Sequence, residues 1–229
     1  MRVALCFSGL PRFIEQTHAY WKNSILDPYG PDVFVHCWKS GSDHEDKLTE
    51  TQITNLYQPK LFQHAHVPQF NVASYVERIW PHRITPQNQF SQFTGIKRSQ
   101  QLRQQWEQQH DFVYDVVIRA RFDWYLRHVQ LEINHNVNVA HTPTLAGHVF
   151  HFHGLGLDLV GINDQFAYGS SKTMTTYGKL VDNIPYLYHH HKIDFCGELF
   201  LKAHMEYHRI TVKQHVWQNG IVRSTGIMP

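Results

Sequence analysis

Three short, nearly continuous apolar runs limit what this chain can become. They lie at residues 2–8 (RVALCFS), 32–38 (DVFVHCW) and 114–121 (YDVVIRAR). Each contains a continuous apolar stretch (Val3–Phe7, Val33–Val35, Val116–Ile118) where a strand with one wet face would alternate, so each is expected to be buried on both faces of a sheet. Gly9 and Pro11 close the first run, and Tyr29-Gly30-Pro31 opens the second. Helix-like segments are expected at 13–24, stopping before Asp27-Pro28, and at 46–57, 92–110, 170–181 and 198–208. Further strands are expected at 60–65, 165–169 and 210–216, and residues 66–89, with Pro68, Pro81 and Pro86, read as an irregular loop. Strands alternating with helices predict an α/β fold with a largely parallel sheet, in one domain over residues 1–229.

In such sheets ligands sit at the carboxyl ends of the strands, so the residues just after each apolar run matter most. After the first run comes Ser8-Gly9-Leu10-Pro11-Arg12: a hydroxyl, a glycine that admits close backbone approach, and a planar guanidinium suited to phosphate. No GxGxxG or GxxxxGK[ST] is present, so the common dinucleotide and P-loop readings fail. Arg119, Arg121 and Asp123 alternate along the third run and would share one face. Two guanidiniums and a carboxylate on an apolar strand are costly unless paired or ligand-bound. Asp123 could hold a hard divalent cation, the arginines could neutralise a diphosphate, or the group could be a structural ion pair. Asp164, between Asn163 and Gln165, could take a proton from a hydroxyl, or belong to an Asx turn. Glu198, opening a late helix, gains from the helix dipole and could equally act as a general base.

Composition excludes some partners. The chain has 21 Lys+Arg against 19 Asp+Glu, so a net charge of +2 gives no electrostatic case for a nucleic-acid partner. No window approaches the ~18 uninterrupted apolar residues of a membrane-crossing helix. Cys6, Cys37 and Cys196 are odd in number, widely spaced and without CxxC, which suggests buried thiols in a reducing, cytoplasmic setting. The 19 histidines raise a metalloprotein alternative, because His64/His66 and His151/His153 are H-x-H pairs and His189, His190 and His191 form a run. A site from His148, His151 and His153 is its most specific form, but no carboxylate sits at a convincing spacing.

Taken in order, SGLPR, DVFVHCW, YDVVIRARFD, NDQFAYGSSKTM and GELFLKAHM resemble the small GT-A-type glycosyltransferases of bacteria and large DNA viruses. The resemblance implies a GT-A-like, Rossmann-type mixed sheet, mostly parallel and flanked by helices. It implies a glycosyltransferase that moves a sugar from a nucleotide-sugar donor (UDP- or GDP-linked) to an acceptor hydroxyl on a glycan or protein-linked glycan. The setting would be cytoplasmic, in the host if the source is viral. Donor binding would fall to Phe7, Ser8, Gly9 and Arg12, with Arg119 and Arg121 on the diphosphate and Arg98, beside Lys97, as a possible addition. The family's DxD metal motif maps onto Arg121-Phe122-Asp123, so Asp123 alone carries over as a ligand for Mn2+ or Mg2+, with Arg121 in place of the first acid. His215 would be a further metal ligand, Glu198 the base, and Asp164 its rival. A catalytically inactive sugar-binding module on the same fold is the remaining alternative.

Overall fold

The computed structural model describes residues 1–76, 85–127, 129–132, 138–144, 149–151, 158–223 and 226–228, with backbone alone for 149–151, 158–160 and 226–228. The strands are β1 (Val3–Gly9), β2 (Asp32–Trp38), β3 (Leu61–Ala65), β4 (Val116–Ala120), β5 (Trp124–Arg127), β6 (Val139–Pro143), β7 (Val149–His151), β8 (Asp158–Val160), β9 (Phe166–Gly169), β10 (Thr211–His215), β11 (Gln218–Arg223) and β12 (Gly226–Met228). The helices are α1 (Ile14–Trp21), α2 (Asp27–Tyr29), α3 (Asp43–Tyr57), α4 (Pro86–Gln109), α5 (Ser171–Gly178), α6 (Leu180–His189) and α7 (Gly197–Tyr207).

Seven strands form the main sheet in the order β10-β6-β9-β4-β1-β2-β3. β1 runs parallel to both β2 and β4, β2 to β3, and β10 to β6, while β9 alone runs antiparallel between β4 and β6. The expected mixed, mostly parallel sheet flanked by helices is the observed one. A second sheet, β12-β11-β5, and a β7-β8 hairpin lie beside it.

Alternation along β1 divides the core. Val3, Leu5 and Phe7 face α1 and α3, where they pack with Ile14, Trp21, Ile53 and Tyr57. Ala4 and Cys6 face the other layer, with Phe93 and Ile96 of α4, Tyr177 of α5, and Leu201 of α7. Each large apolar side chain buried this way stabilises the fold by roughly 1.5–3 kcal/mol.

Several expected boundaries move. The first helix does not stop before Asp27-Pro28; it widens into a π-helical turn at Lys22–Leu26 and runs on through α2. Buried Ser24 donates from that turn to the Leu126 carbonyl at 2.6 Å. α4 begins at Pro86, inside the expected loop. Thr85 caps it, accepting from the Asn88 N–H at 3.2 Å, and Pro86 occupies the first turn, where no N–H is needed. The helix expected at 170–181 divides into α5 and α6, and α6 carries Pro185 within it. Residues 77–84 of the expected loop lie outside the described residues. Among the described residues no helix is long and apolar enough to cross a membrane.

Candidate functional site

β1 is followed by β2 on one side and lies against β4 on the other, so the chain reverses its winding direction between β1 and β4. A crevice opens at the carboxyl ends of strands at such a point. Here it is a cleft of about 310 Å³, lined by Ser8, Gly9, Leu10 and Arg12 after β1, Trp38 at the end of β2, and Arg119, Arg121 and Asp123 at and beyond the end of β4. Asn88, Ser91 and Gln92 of α4 complete it. Ligand pockets start at roughly this size, ~300 Å³.

Local structure fixes the walls. Gly9 has φ +110°, a conformation that favours glycine, and it lets the chain leave β1 directly into the cleft rim. Cys6 pairs with Arg119 in the parallel register, so Arg119 points to the same layer as Cys6 and Ser8, under α4. The Phe122-Asp123 turn is held from two sides. Thr17 donates to the Phe122 carbonyl at 2.7 Å, and the Val222 N–H donates to the Asp123 carbonyl at 2.8 Å.

The electrostatics of the cleft centre on Arg119. It is 1% exposed, and its Nε and Nη1 have no hydrogen-bond partner. Burial pulls the guanidinium below its ordinary pKa, while Tyr177 and Asp164 favour its charge. Ser8 Oγ and Trp38 Nε1 are also buried without partners. Buried polar groups are normally hydrogen-bonded, so this concentration of unanswered donors at one cleft is the chemistry of an anion site.

Arg121 behaves differently. Burial opposes its charge, but Asp123 outweighs that and raises its pKa. Its Nε donates to Asp123 Oδ1 at 2.8 Å and its Nη2 to Oδ2 at 2.7 Å. Asp123 is the one carboxylate among the described lining residues, and both its oxygens answer the guanidinium fork. With Arg12 and Arg119 in the same cleft, these residues do not fit Mn2+ or Mg2+, which bind through carboxylate oxygens free to coordinate.

Asp164 lies just behind the wall. Gln92, a lining residue, donates from Nε2 to Asp164 Oδ2 at 2.6 Å. Gly197 at the start of α7 leaves room for this arrangement: a Cβ there would meet Asp164 Oδ2 at 3.1 Å and crowd against Gln89 Oε1. Glu198 follows, accepting from Cys196 Sγ at 3.0 Å, and both Asp164 and Glu198 contribute to raising the Arg121 pKa.

Of the residues singled out by sequence, Ser8, Gly9, Arg12, Arg119, Arg121 and Asp123 line one cleft, with Asp164 and Glu198 adjoining. Phe7 is not brought there. Its ring is buried on the opposite face of β1, stacked on Phe122 at 4.9 Å. Arg98 does not line the cleft; its guanidinium covers the Trp38 ring at 5.3 Å. His215 is grouped with Glu132 and His141 rather than with Asp123. His148 and His153 lie outside the described residues, as does the side chain of His151. Sequence reasoning missed the α4 residues Asn88, Ser91 and Gln92, although the Thr85-Pro86 cap signature marked where that helix begins.

One solved structure with a related chain trace is the crystal structure of a glycosyltransferase involved in the glycosylation of the major capsid of PBCV-1. It is 9% identical, with a TM-score of 0.42, and the match covers 94% of this chain and 82% of that one. No curated protein matches the chain in sequence. The family model "Domain of unknown function (DUF7796)" matches residues 1–225, and the chain therefore belongs to the DUF7796 family.

Proposed function

We propose that the cleft binds the diphosphate of a nucleotide-sugar donor and that the protein is a glycosyltransferase. The observation that carries this reading is the buried guanidinium of Arg119, whose Nε and Nη1 have no hydrogen-bond partner, at the switch point of the sheet. The ordered motifs resembling GT-A-type glycosyltransferases support it independently.

In this reading Arg119, Arg121 and Arg12 neutralise the diphosphate, and Ser8 donates a further hydrogen bond. Sugar transfer breaks the bond between the anomeric carbon and a phosphate oxygen, and the electron pair stays on that oxygen. Preorganised cations facing the growing charge lower the barrier. No metal step is needed, because the arginines supply the charge a cation would otherwise bring. Asp123 acts by fixing the Arg121 fork. Asp164 takes the acceptor hydroxyl proton as the acceptor oxygen bonds to the anomeric carbon. It is assigned this role over Glu198 because Gln92 links it directly to the cleft.

The test is a screen of UDP- and GDP-sugars with the intact protein. The expected result is nucleotide binding and release of the nucleoside diphosphate for at least one donor. Binding without turnover would leave a sugar-nucleotide-binding module. No binding of any nucleotide or donor would overturn the proposal.

A further inference from the structure

We infer that Glu132, His141 and His215 form a second site, which binds a divalent transition-metal ion of the zinc class. One potential ligand atom from each of the three lies within 4.8 Å of the others. None of the three lines the cleft, so this inference does not depend on the glycosyltransferase reading.

The three residues come from distant parts of the chain. His141 is in β6, His215 ends the edge strand β10, and Glu132 lies before β6. His141 Nδ1 is 2.9 Å from His215 Nε2, and His215 Nδ1 is 3.9 Å from Glu132 Oε1. The rings are oriented by stacking on both sides. Tyr168 stacks on His141 at 4.4 Å and 6°, and Trp217 stacks on His215 at 4.5 Å and 2°. Between them the two imidazoles lie at 23° to one another. The Tyr168 hydroxyl also accepts from the Glu132 backbone N–H at 2.9 Å, which fixes the segment carrying the carboxylate.

Two imidazoles and a carboxylate are the ligand set of zinc and its neighbours, not of Mg2+ or Ca2+. Tetrahedral coordination at Zn–N distances of ~2.0–2.1 Å separates two ligand nitrogens by ~3.4 Å, so the His141–His215 pair need open only by a few tenths of an ångström. Lys213 is the competitor. Its Nζ is 2.9 Å from Glu132 Oε2, with both side chains 49% exposed. An ion pair so exposed is worth at most ~1 kcal/mol and yields readily to a metal. Glu132 faces solvent, so water completes the coordination sphere. The bound ion would cross-link the edge strand β10 to β6 and to the segment before it.

The test uses the full chain stripped of metal by chelator and dialysis, titrated with ZnCl2, CoCl2 or MgCl2. The expected result is one equivalent of Zn2+ bound, a rise in Tm of roughly 5 °C or more at 100-fold excess over Kd, and visible bands of low-symmetry Co2+. Mg2+ should do none of this. Glu132→Gln and His215→Asn, both at partly exposed positions, should each weaken Zn2+ binding at least 10-fold, and His141→Asn should match them if it folds. A triple variant, His189→Ala with His190→Ala and His191→Ala, should bind Zn2+ unchanged. Zinc binding that survives both Glu132→Gln and His215→Asn, or that vanishes in the triple variant, would overturn the inference, as would no stoichiometric binding at all.

Discussion

Arg121 grips both carboxylate oxygens of Asp123, through Nε at 2.8 Å and Nη2 at 2.7 Å. A carboxylate held by a bidentate fork positions the arginine, and its charge is already balanced by the guanidinium, which disfavours a second cation beside it. Nucleoside-diphosphate affinity should therefore differ less than about twofold between EDTA and Mn2+, since both charges are already on the protein. A tenfold or greater gain with Mn2+ by calorimetry would restore the metal reading of Asp123. Asp123→Asn should loosen Arg121 and lower turnover by about 10²-fold or more, the scale seen when a preorganised charge is lost, with no rescue by added Mn2+.

Gly197 lies against Asp164 and Gln89, outside the residues that line the cleft. A methyl group there would crowd Gln89 and press on Asp164 Oδ2 at 3.1 Å and Phe93 Cε2 at 3.2 Å. Gly197→Ala should reduce kcat several-fold with little change in nucleotide Kd. A large loss of nucleotide affinity would show that Asp164 and Gln89 serve the donor instead.

The first turns of α4 line the cleft as well. Thr85 accepts from the Asn88 N–H, and the first turns of the helix carry Asn88, Ser91 and Gln92. Thr85→Ala should cost about 1 kcal/mol of stability, read in denaturant unfolding, and weaken donor binding by fraying those turns. Donor affinity unchanged at equal loss of stability would remove α4 from the binding account.

His36 and His204 set the acid limit of the fold together with buried His141, which burial and His215 lower from 6.5 to about 4. His36 has no hydrogen-bond partner, and burial, reinforced by Arg98, lowers its pKa from 6.5 to about 3. Burial lowers His204 from 6.5 to about 4, and its Nε2 lies 2.8 Å from the Thr176 carbonyl. Between those folded values and 6.5 the unfolded chain binds more protons than the folded one. Stability is therefore full above about pH 6.5 and declines as the pH falls toward 4, at up to about 1.4 kcal/mol per pH unit for each group. Thermal melts from pH 7.5 to 4.5 should show Tm falling through this window. A flat profile would contradict the neutral, buried state of these rings.

Much of the cleft lining was legible in the sequence. β1, β2 and β4 are nearly continuous apolar runs, and their ends pointed to Ser8, Arg12, Arg119 and Asp123. Phe7, which the resemblance placed with Ser8 and Gly9, falls on the other face of β1. Alternation along β1 puts it with Val3 and Leu5, away from Ser8. α4 began earlier than expected because Pro86 was read as a breaker, when Thr85 and Pro86 together form a start signal. The second sheet was invisible: β5 and β11 are short, and QNGIVR has polar positions and a glycine that suggest a turn. His141 and His215 are 74 residues apart, and only strand pairing between β6 and β10 brings them together.

The most direct test of the central claim is Arg119→Met. A buried guanidinium with unanswered nitrogens does not stabilise the empty fold, and replacing it with an apolar side chain of similar length is neutral or stabilising. Tm measured beside UDP and GDP affinity should stay level or rise, while nucleoside-diphosphate binding falls at least 100-fold. A variant that loses stability but binds nucleoside diphosphate normally would show that Arg119 serves the fold and not a phosphate ligand.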